Sequence, residues 1–210
     1  MTQKGTKDLL LVTTALEETW GNEEEILFLG EWCKLYSRRH TLTKRKNKTI
    51  SYHWDDRDKL KIDESRLNCL HDQLINSLTK TLNKIHDVNY PNRYWQMILD
   101  PWLVSYLAVI WDRWECMQVA LNKYNPTKTF LLNEDTELEV PRDYSSAIEL
   151  YLDDLWNHHL FADILSIFKS KDCQICHLDN LLQNLSTSAV DVASEPTSIK
   201  WRIAKFLDNF

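Results

Sequence analysis

The sequence predicts an α/β fold, with a mostly parallel sheet flanked by helices and a high helix content. Short apolar runs bounded by polar or turn residues recur along the chain, as is typical of buried parallel strands. Stretches with helical spacing of apolar residues separate these runs, and such alternation indicates a parallel α/β layer. The chain has 210 residues, of which 43% are hydrophobic, so it can bury a full core.

Four segments are predicted as strands. Three are the apolar runs DLLLVTT (8–14), EILFLG (25–30) and KTFLLN (128–133). TISYHW (49–54) is predicted as the fourth. The basic run KRKNK at 44–48 is predicted to be a solvated loop, with contact to an anionic substrate or a lipid surface as the alternative.

Four segments are predicted as helices. Leucines in residues 63–88 recur at three- and four-residue spacing, which predicts one amphipathic helix with an acidic first turn. Residues 91–124 are apolar nearly all round, which predicts a central buried helix. Asp100 and Pro101 stand there in N-cap and N1 order, so a short helix is expected to end and a long one to begin at this point. Helical patterns follow at 144–155 and 156–169.

Composition argues against several classes of protein. The net charge is -6, with 25 basic against 31 acidic residues, whereas a general nucleic-acid binder needs a basic excess. The chain has three glycines, so it has neither a P-loop nor a GxGxxG loop to bind phosphates. ATPases and ordinary NAD-dependent dehydrogenases are therefore disfavoured.

The chain is rich in tryptophan. Its nine tryptophans suit helix packing, and they also suit stacking on a sugar or a base.

The chain is predicted to be cytoplasmic and without a membrane span. The polar amino terminus leads into an apolar run too short for a signal peptide, and charged residues interrupt the apolar segment 91–124. Five scattered cysteines fit free thiols in a reducing compartment. CQICH (173–177) matches the haem-attachment pattern, and its two cysteines could also form half a zinc site or a redox pair. Haem attachment follows export, and the sequence shows no export signal, so Cys173 and Cys176 are predicted to be free thiols.

Polar and aromatic residues follow the first two predicted strands at once. They are Thr13, Thr14, Glu17 and Trp20 after the first strand, and Glu31 and Trp32 after the second. Ligands of parallel sheets lie beyond the carboxyl ends of the strands, so these side chains are expected to line one crevice. The alternative is that they belong to separate helix starts, where Thr caps and Glu complements the helix dipole.

Five motifs stand in order between residues 8 and 168. They are LLLVTTALEETWG, ILFLGEWCKLYSRRH, YHWDDRDKL, NRYWQMILDPWL and DDLWNHHLFADIL. Together they resemble the amino-terminal part of a family of bacterial transferases found in gene clusters for O-antigen and other surface polysaccharides. The resemblance implies a two-lobed, glycosyltransferase-B-like enzyme that moves a sugar from a nucleotide-activated donor to a glycan acceptor.

The resemblance also implies a domain organisation. The donor nucleotide of such enzymes lies mainly on the carboxy-terminal lobe, and family members are longer than this chain. The chain is therefore expected to hold a Rossmann-like first lobe (1–185), a polar linker (186–198) and a terminal amphipathic helix that starts the second lobe (199–210). Alone it is expected to be inactive, to need no cofactor, and to self-associate through apolar surface that the second lobe would cover.

Further candidate site residues come from the later motifs. Catalytic candidates are Glu17, His53, Asp55 and Asp56, because paired carboxylates can divide acid and base roles; an exposed helix start would look the same. Substrate-binding candidates are Thr13, Thr14, Trp20, Glu31, Trp32, Arg57, Arg93 and His158. Arg93 suits a phosphate or carboxylate clamp, or is a surface arginine at a helix start. Asp154 and His158 lie four apart and supply two metal ligands or a structural hydrogen-bonding pair, and no metal is predicted.

Three functions follow. The first is the transferase lobe. The second is a non-catalytic module that binds the acceptor or another protein. The third is a haem or redox protein, which rests on CQICH alone.

Overall fold

A five-stranded parallel sheet forms the centre of the protein. The computed structural model describes residues 8–21, 25–42, 44–132, 140–168 and 173–178. The strands are β1 (Leu9–Val12), β2 (Glu25–Phe28), β3 (Lys46–Thr49), β4 (Lys128–Leu132) and β5 (Gln174–Leu178). Their order in the sheet is β3-β2-β1-β4-β5, and every pair is parallel. The predicted α/β class is confirmed, and the fold is consistent with a Rossmann-like arrangement.

The third strand lies earlier in the chain than predicted. β3 is Lys46–Thr49 and so begins within the basic run at 44–48 that was assigned to a loop, and the predicted strand at 49–54 is wrong. Two of its lysines bind one buried carboxylate: Glu25 lies 3.3 Å from Lys46 Nζ and 2.9 Å from Lys48 Nζ. Polar residues can form a strand here because β3 is at the edge of the sheet, where alternate side chains are exposed to solvent.

The second edge strand, β5, was not predicted. It contains the CQICH motif's Cys176, and it pairs with β4 from Gln174 to Leu178. Cys173 and Cys176 are free thiols. The predicted linker at 186–198 and terminal helix at 199–210 lie outside the described residues.

Two long helices form an antiparallel hairpin. They are α2 (Arg57–His86) and α3 (Asn92–Val119), and a short helix, α1 (Arg39–Leu42), precedes them. α3 runs unbroken through Pro101, so the predicted break is wrong. Asp100 does not cap a helix there because its carboxylate lies 2.8 Å from His71 Nε2 on α2. The helix ends in a π-helical turn at Ala120–Tyr124.

Two further helices follow β4. They are α4 (Tyr144–Leu152) and α5 (Asp154–Phe168), close to the predicted segments. Asp153 separates them, and its carboxylate accepts a hydrogen bond from the Trp156 amide at 2.7 Å.

The two faces of the sheet are covered differently. Leu11 and Leu27 pack on one face against α3 and α5, together with the buried residues Met117, Leu160 and Phe161. On the other face, the main buried cluster is Leu10, Val12, Ile26, Phe28, Trp20 and Cys33. Among the described helices, none is long and apolar enough to cross a membrane.

Candidate functional site

Two indoles bind successive carbonyl groups just past β1. Trp32 Nε1 donates to the Thr13 carbonyl at 2.9 Å, and Trp20 Nε1 donates to the Thr14 carbonyl at 3.2 Å. The Trp20 ring meets the edge of Phe28, whereas the Trp32 ring stacks on Phe161 of α5. The indoles thus satisfy backbone acceptors beyond the end of the strand. Thr13 and Thr14 are themselves buried.

The first turns of α5 lie at the point where the strand order reverses, between β1 and β4. Asp154 Oδ1 accepts a hydrogen bond from the Ala15 amide at 3.1 Å. One turn later, His158 Nδ1 lies 3.4 Å from Thr13 Oγ1, and Nε2 accepts from the Leu132 amide at 3.2 Å. Asp154 and His158 therefore act as a structural hydrogen-bonding pair, and they hold α5 against the crevice where open parallel sheets bind ligands.

His158 is a neutral imidazole. Because Nε2 accepts from a backbone amide, the ring proton is on Nδ1 and is donated to Thr13. Burial, with a further contribution from His159, lowers the pKa of His158 to about 4.

Arg113 of α3 connects the end of β2 with α5. Its Nε donates to Asn157 Oδ1 at 2.9 Å, and its Nη1 binds the Asp112 carboxylate. The guanidinium carbon lies 5.3 Å from the centre of the Trp32 ring, a cation–π contact. One planar cation is thereby fixed by a carboxylate, an amide and an aromatic face.

Asp112 also binds His53, which follows β3. His53 Nε2 lies 3.0 Å from Asp112 Oδ1, and the side chains of both residues are almost completely buried. Burial raises the pKa of Asp112, but hydrogen bonding to His53 and the charge of Arg113 outweigh it and hold the pKa below its usual value. Residues following β1, β2 and β3 are thus joined in one network through Trp32, Arg113 and Asp112.

Asp55, Asp56 and Arg57 of the YHWDDRDK motif lie outside this network. Asp56 is the N-cap of α2, and its Oδ1 accepts from the Asp58 and Lys59 amides at 3.0 and 3.1 Å. Asp55 and Arg57 are exposed. Asp56 therefore caps a helix, and all three residues fit the alternative prediction of an exposed helix start.

Glu31 and Arg93 also lie on the surface. Glu31 is exposed and pairs with Lys34 at 3.2 Å. Arg93 is exposed in the first turn of α3, where Nη1 lies 3.4 Å from Gln96 Oε1. Twenty residues of helix separate Arg93 from Arg113, which is about 30 Å. Arg93 is therefore remote from the network at the sheet edge.

Glu17 lines a cavity of about 200 Å³ on the opposite face of the sheet from α5. Its other lining residues include Trp20, Arg45, Asn47, Ile26 and Phe28. Arg45 is held in place by the carbonyls of Trp20 and Gly21, at 3.2 and 2.8 Å. Glu17 forms an ion pair with Arg38 at 3.0 Å and keeps about a third of its side chain exposed (37%), so solvent reaches its carboxylate.

Residues 9–210 match the model of the LIC12162 family transferase. The chain belongs to the LIC12162 transferase family. No curated protein matches it, and no solved structure does. The family assignment agrees with the expected transferase class.

In this LIC12162 family transferase, the predicted residues fall into three groups. Glu17 and Trp20 meet at the cavity. Thr13, Thr14, Trp32, His53 and His158 lie at the carboxyl edge of the sheet and are buried or partly buried. Glu31, Asp55, Asp56, Arg57 and Arg93 occupy exposed positions. At the cavity, polar groups and an aromatic wall meet open space. It therefore offers the chemistry of a small polar ligand site.

Several residues of these groups are not predicted from the sequence. Arg45 and Asn47 lie in the basic run assigned to a loop, and Asp112, Arg113 and Asn157 come from distant helices. One signal was present: WDRWE places three charged residues in an apolar helix, and buried charges require partners.

Proposed function

We propose that this protein acts in the transfer of a sugar from a nucleotide-activated donor to a glycan acceptor, in the synthesis of O-antigen or another surface polysaccharide. The transferase family and the parallel, Rossmann-like sheet support this class of reaction. The unit corresponds to the amino-terminal lobe of a glycosyltransferase-B-like enzyme and binds the acceptor. The enzyme works on the cytoplasmic side, where activated sugars are available.

The observation that carries the proposal is the cavity with Glu17 at its rim. Its size suits one sugar ring, well below the roughly 300–1,000 Å³ of drug-sized ligand sites. Asn47 offers its amide oxygen as an acceptor, since its Nδ2 already donates to the carbonyls of Leu42 and Arg45 at 3.0 and 2.9 Å. The Arg45 guanidinium supplies donors beyond those held by backbone carbonyls. Ile26 and Phe28 give an apolar floor for the ring's carbon face.

Glu17 is the proposed general base. Its carboxylate takes the proton of the acceptor hydroxyl, the hydroxyl oxygen bonds to the anomeric carbon of the donor sugar, and the bond from that carbon to the nucleoside diphosphate breaks. The leaving diphosphate departs with the electron pair. Arg38 pairs with Glu17 in the resting site, and partial exposure of both side chains leaves room for exchange with the acceptor.

The donor diphosphate is bound by another lobe. Phosphates are usually held by glycine-rich loops at helix N-termini, and the three glycines of this chain form no such loop. Division of donor and acceptor between two lobes is therefore consistent with the glycine content.

Two measurements on the purified chain test the proposal. Saturation-transfer NMR with O-antigen and capsular oligosaccharides is expected to show binding of at least one, and a panel of nucleotide sugars is expected to give no nucleotide release. Failure of every oligosaccharide to bind would overturn the acceptor site. Nucleotide release by this chain alone would overturn the division between lobes and leave the transferase class intact.

A further inference from the structure

A second cluster of charged groups lies beside the His53–Asp112 pair and has no part in the proposed sugar site. It lies between the turn at 53–55, the start of α2 and the last turns of α3. Asp63 and Glu115 are both buried there, and one ammonium bridges them: Lys59 Nζ is 2.9 Å from Asp63 Oδ2 and 2.8 Å from Glu115 Oε2.

We propose that His53, Asp63 and Glu115 form a binding site for a divalent transition-metal ion of the Zn²⁺ type, from which Lys59 is displaced when the ion binds. One ring nitrogen of His53 and one carboxylate oxygen each of Asp63 and Glu115 lie within 4.8 Å of one another. An imidazole with two carboxylates is a known ligand set for Zn²⁺, and it leaves a fourth position open.

The state of His53 points to a ligand. Its Nε2 is committed to Asp112, so Nδ1 is the nitrogen left to face an ion. Nδ1 is buried and has no hydrogen-bond partner among the residues that the structure describes, although 94% of His53 is removed from solvent (6% exposed). A buried imidazole nitrogen without a partner is costly, and a metal ion would satisfy it.

The surroundings match those of a metal-binding histidine. Such a histidine usually donates its second ring N–H to a carboxylate, which fixes its orientation, and Asp112 Oδ1 lies 3.0 Å from Nε2. Asp63 is oriented in the same way, because Trp54 Nε1 donates to its Oδ2 at 3.0 Å.

The ammonium group of Lys59 occupies the position proposed for the ion. Its side chain is 31% exposed, so the ammonium can swing into water on a flexible four-carbon stem. A divalent ion then replaces a single positive charge between two carboxylates. The neighbouring set of His53, Asp112 and Cys116 is a poorer metal site, because Asp112 is already bound to both His53 and Arg113.

Zinc titration calorimetry on the metal-free protein tests the site, with elemental analysis for stoichiometry. A Cys173→Ser/Cys176→Ser background removes the thiol pair, which is the other candidate zinc site. One zinc per chain is expected. His53→Ala and Glu115→Gln are each expected to weaken binding at least 10-fold, whereas His71→Ala, which removes the α2–α3 pair with Asp100, is expected to leave it unchanged.

Lys59 variants separate a metal site from a plain salt bridge. Lys59→Met removes the competing ammonium and is expected to tighten zinc binding several-fold, although it unpairs two carboxylates in the metal-free protein. Lys59→Gln is the second variant should the first not fold, as judged by circular dichroism. Absence of stoichiometric zinc, equal affinity in His53→Ala, or unchanged affinity in a folded Lys59 variant would each overturn the site. None of these results depends on sugar transfer.

Discussion

His158 Nδ1 lies 3.4 Å from Thr13 Oγ1, and this contact joins residues 145 positions apart in the chain. The pKa of His158 is about 4 in the folded protein, against a usual value near 6.5. Between these values the unfolded chain binds more protons than the folded one, so the free energy of unfolding falls as the pH drops from 6.5 towards 4. The expected loss is about 3 kcal/mol.

Urea denaturation at pH 7 and at pH 4.5 measures this loss. His158→Gln is expected to be less stable at pH 7 and to show a flatter pH dependence over this range. His177→Gln, at an exposed position of β5, is the matched control and should keep the wild-type dependence. An unchanged pH dependence in His158→Gln would mean that other groups cause the loss.

Glu17→Gln is expected to separate function from stability. The ion pair with Arg38 is partly exposed, so its loss should change the free energy of unfolding by less than about 1 kcal/mol. Oligosaccharide binding is expected to weaken about 10-fold, because a charged hydrogen-bond acceptor is lost. In an enzyme that contains both proposed lobes, the corresponding change should lower the rate of sugar transfer more strongly than it lowers acceptor binding.

Glu18→Gln is the control for this prediction, since the neighbouring glutamate is exposed and is not among the residues that line the cavity. Equal effects of the two substitutions would assign Glu17 to the general surface charge. Unfolding of Glu17→Gln would assign it to the architecture of the turn at 17–20.

Arg113→Met is expected to destabilise the protein by about 3–5 kcal/mol, because it leaves the buried Asp112 carboxylate without its cation. Arg113→Lys should rescue little of this. A single ammonium cannot reproduce the fork that binds Asp112 and Asn157 while lying over Trp32. Arg93→Met, at an exposed position, should change stability by about 0.5 kcal/mol or less. Thermal and urea denaturation of the three variants give the comparison.

Pro101→Ala is expected to stabilise the protein by about 1–3 kcal/mol, because alanine restores an amide to the interior of a continuous helix. Pro91→Ala is the matched control: Pro91 is the N-cap of α3, outside the helix interior, and should give no such gain. A gain at neither position would indicate that α3 bends at Pro101 to release the lost hydrogen bond.

The sequence predicts the central strands better than the edges. β1, β2 and β4 are apolar runs because they are covered by other parts of the fold, whereas KNKT of β3 and the exposed residues of β5 need no apolar pattern. The prediction of a helix break at Asp100 and Pro101 was wrong for a tertiary reason. Asp100 contacts His71 on the neighbouring helix instead of capping a new helix.

The candidate site follows the same division. Local pattern places Thr13 and Trp32 correctly after their strands, and a parallel sheet brings those strand ends to one edge. Arg113, which lies over Trp32, and its partner Asn157 are on helices far along the chain, so local sequence spacing does not predict their contacts. Glu17 and Trp20 are close in the sequence, but Arg45 and Asn47 from a later segment also line the cavity. Local spacing therefore does not predict it.

The hydrogen bonds from Trp20 and Trp32 to the carbonyls past β1 have a consequence for folding order. Both donors lie within about twenty residues of their acceptors, whereas β4, on the other side of β1, joins it across 118 residues. Closing the short loops costs less chain entropy, so β1 and β2 can align first. A slip of β1 by one residue would move each carbonyl away from its indole and turn the apolar side chains to the wrong faces. The two tryptophans thus favour the observed alignment of β1 with β2 over a slipped one.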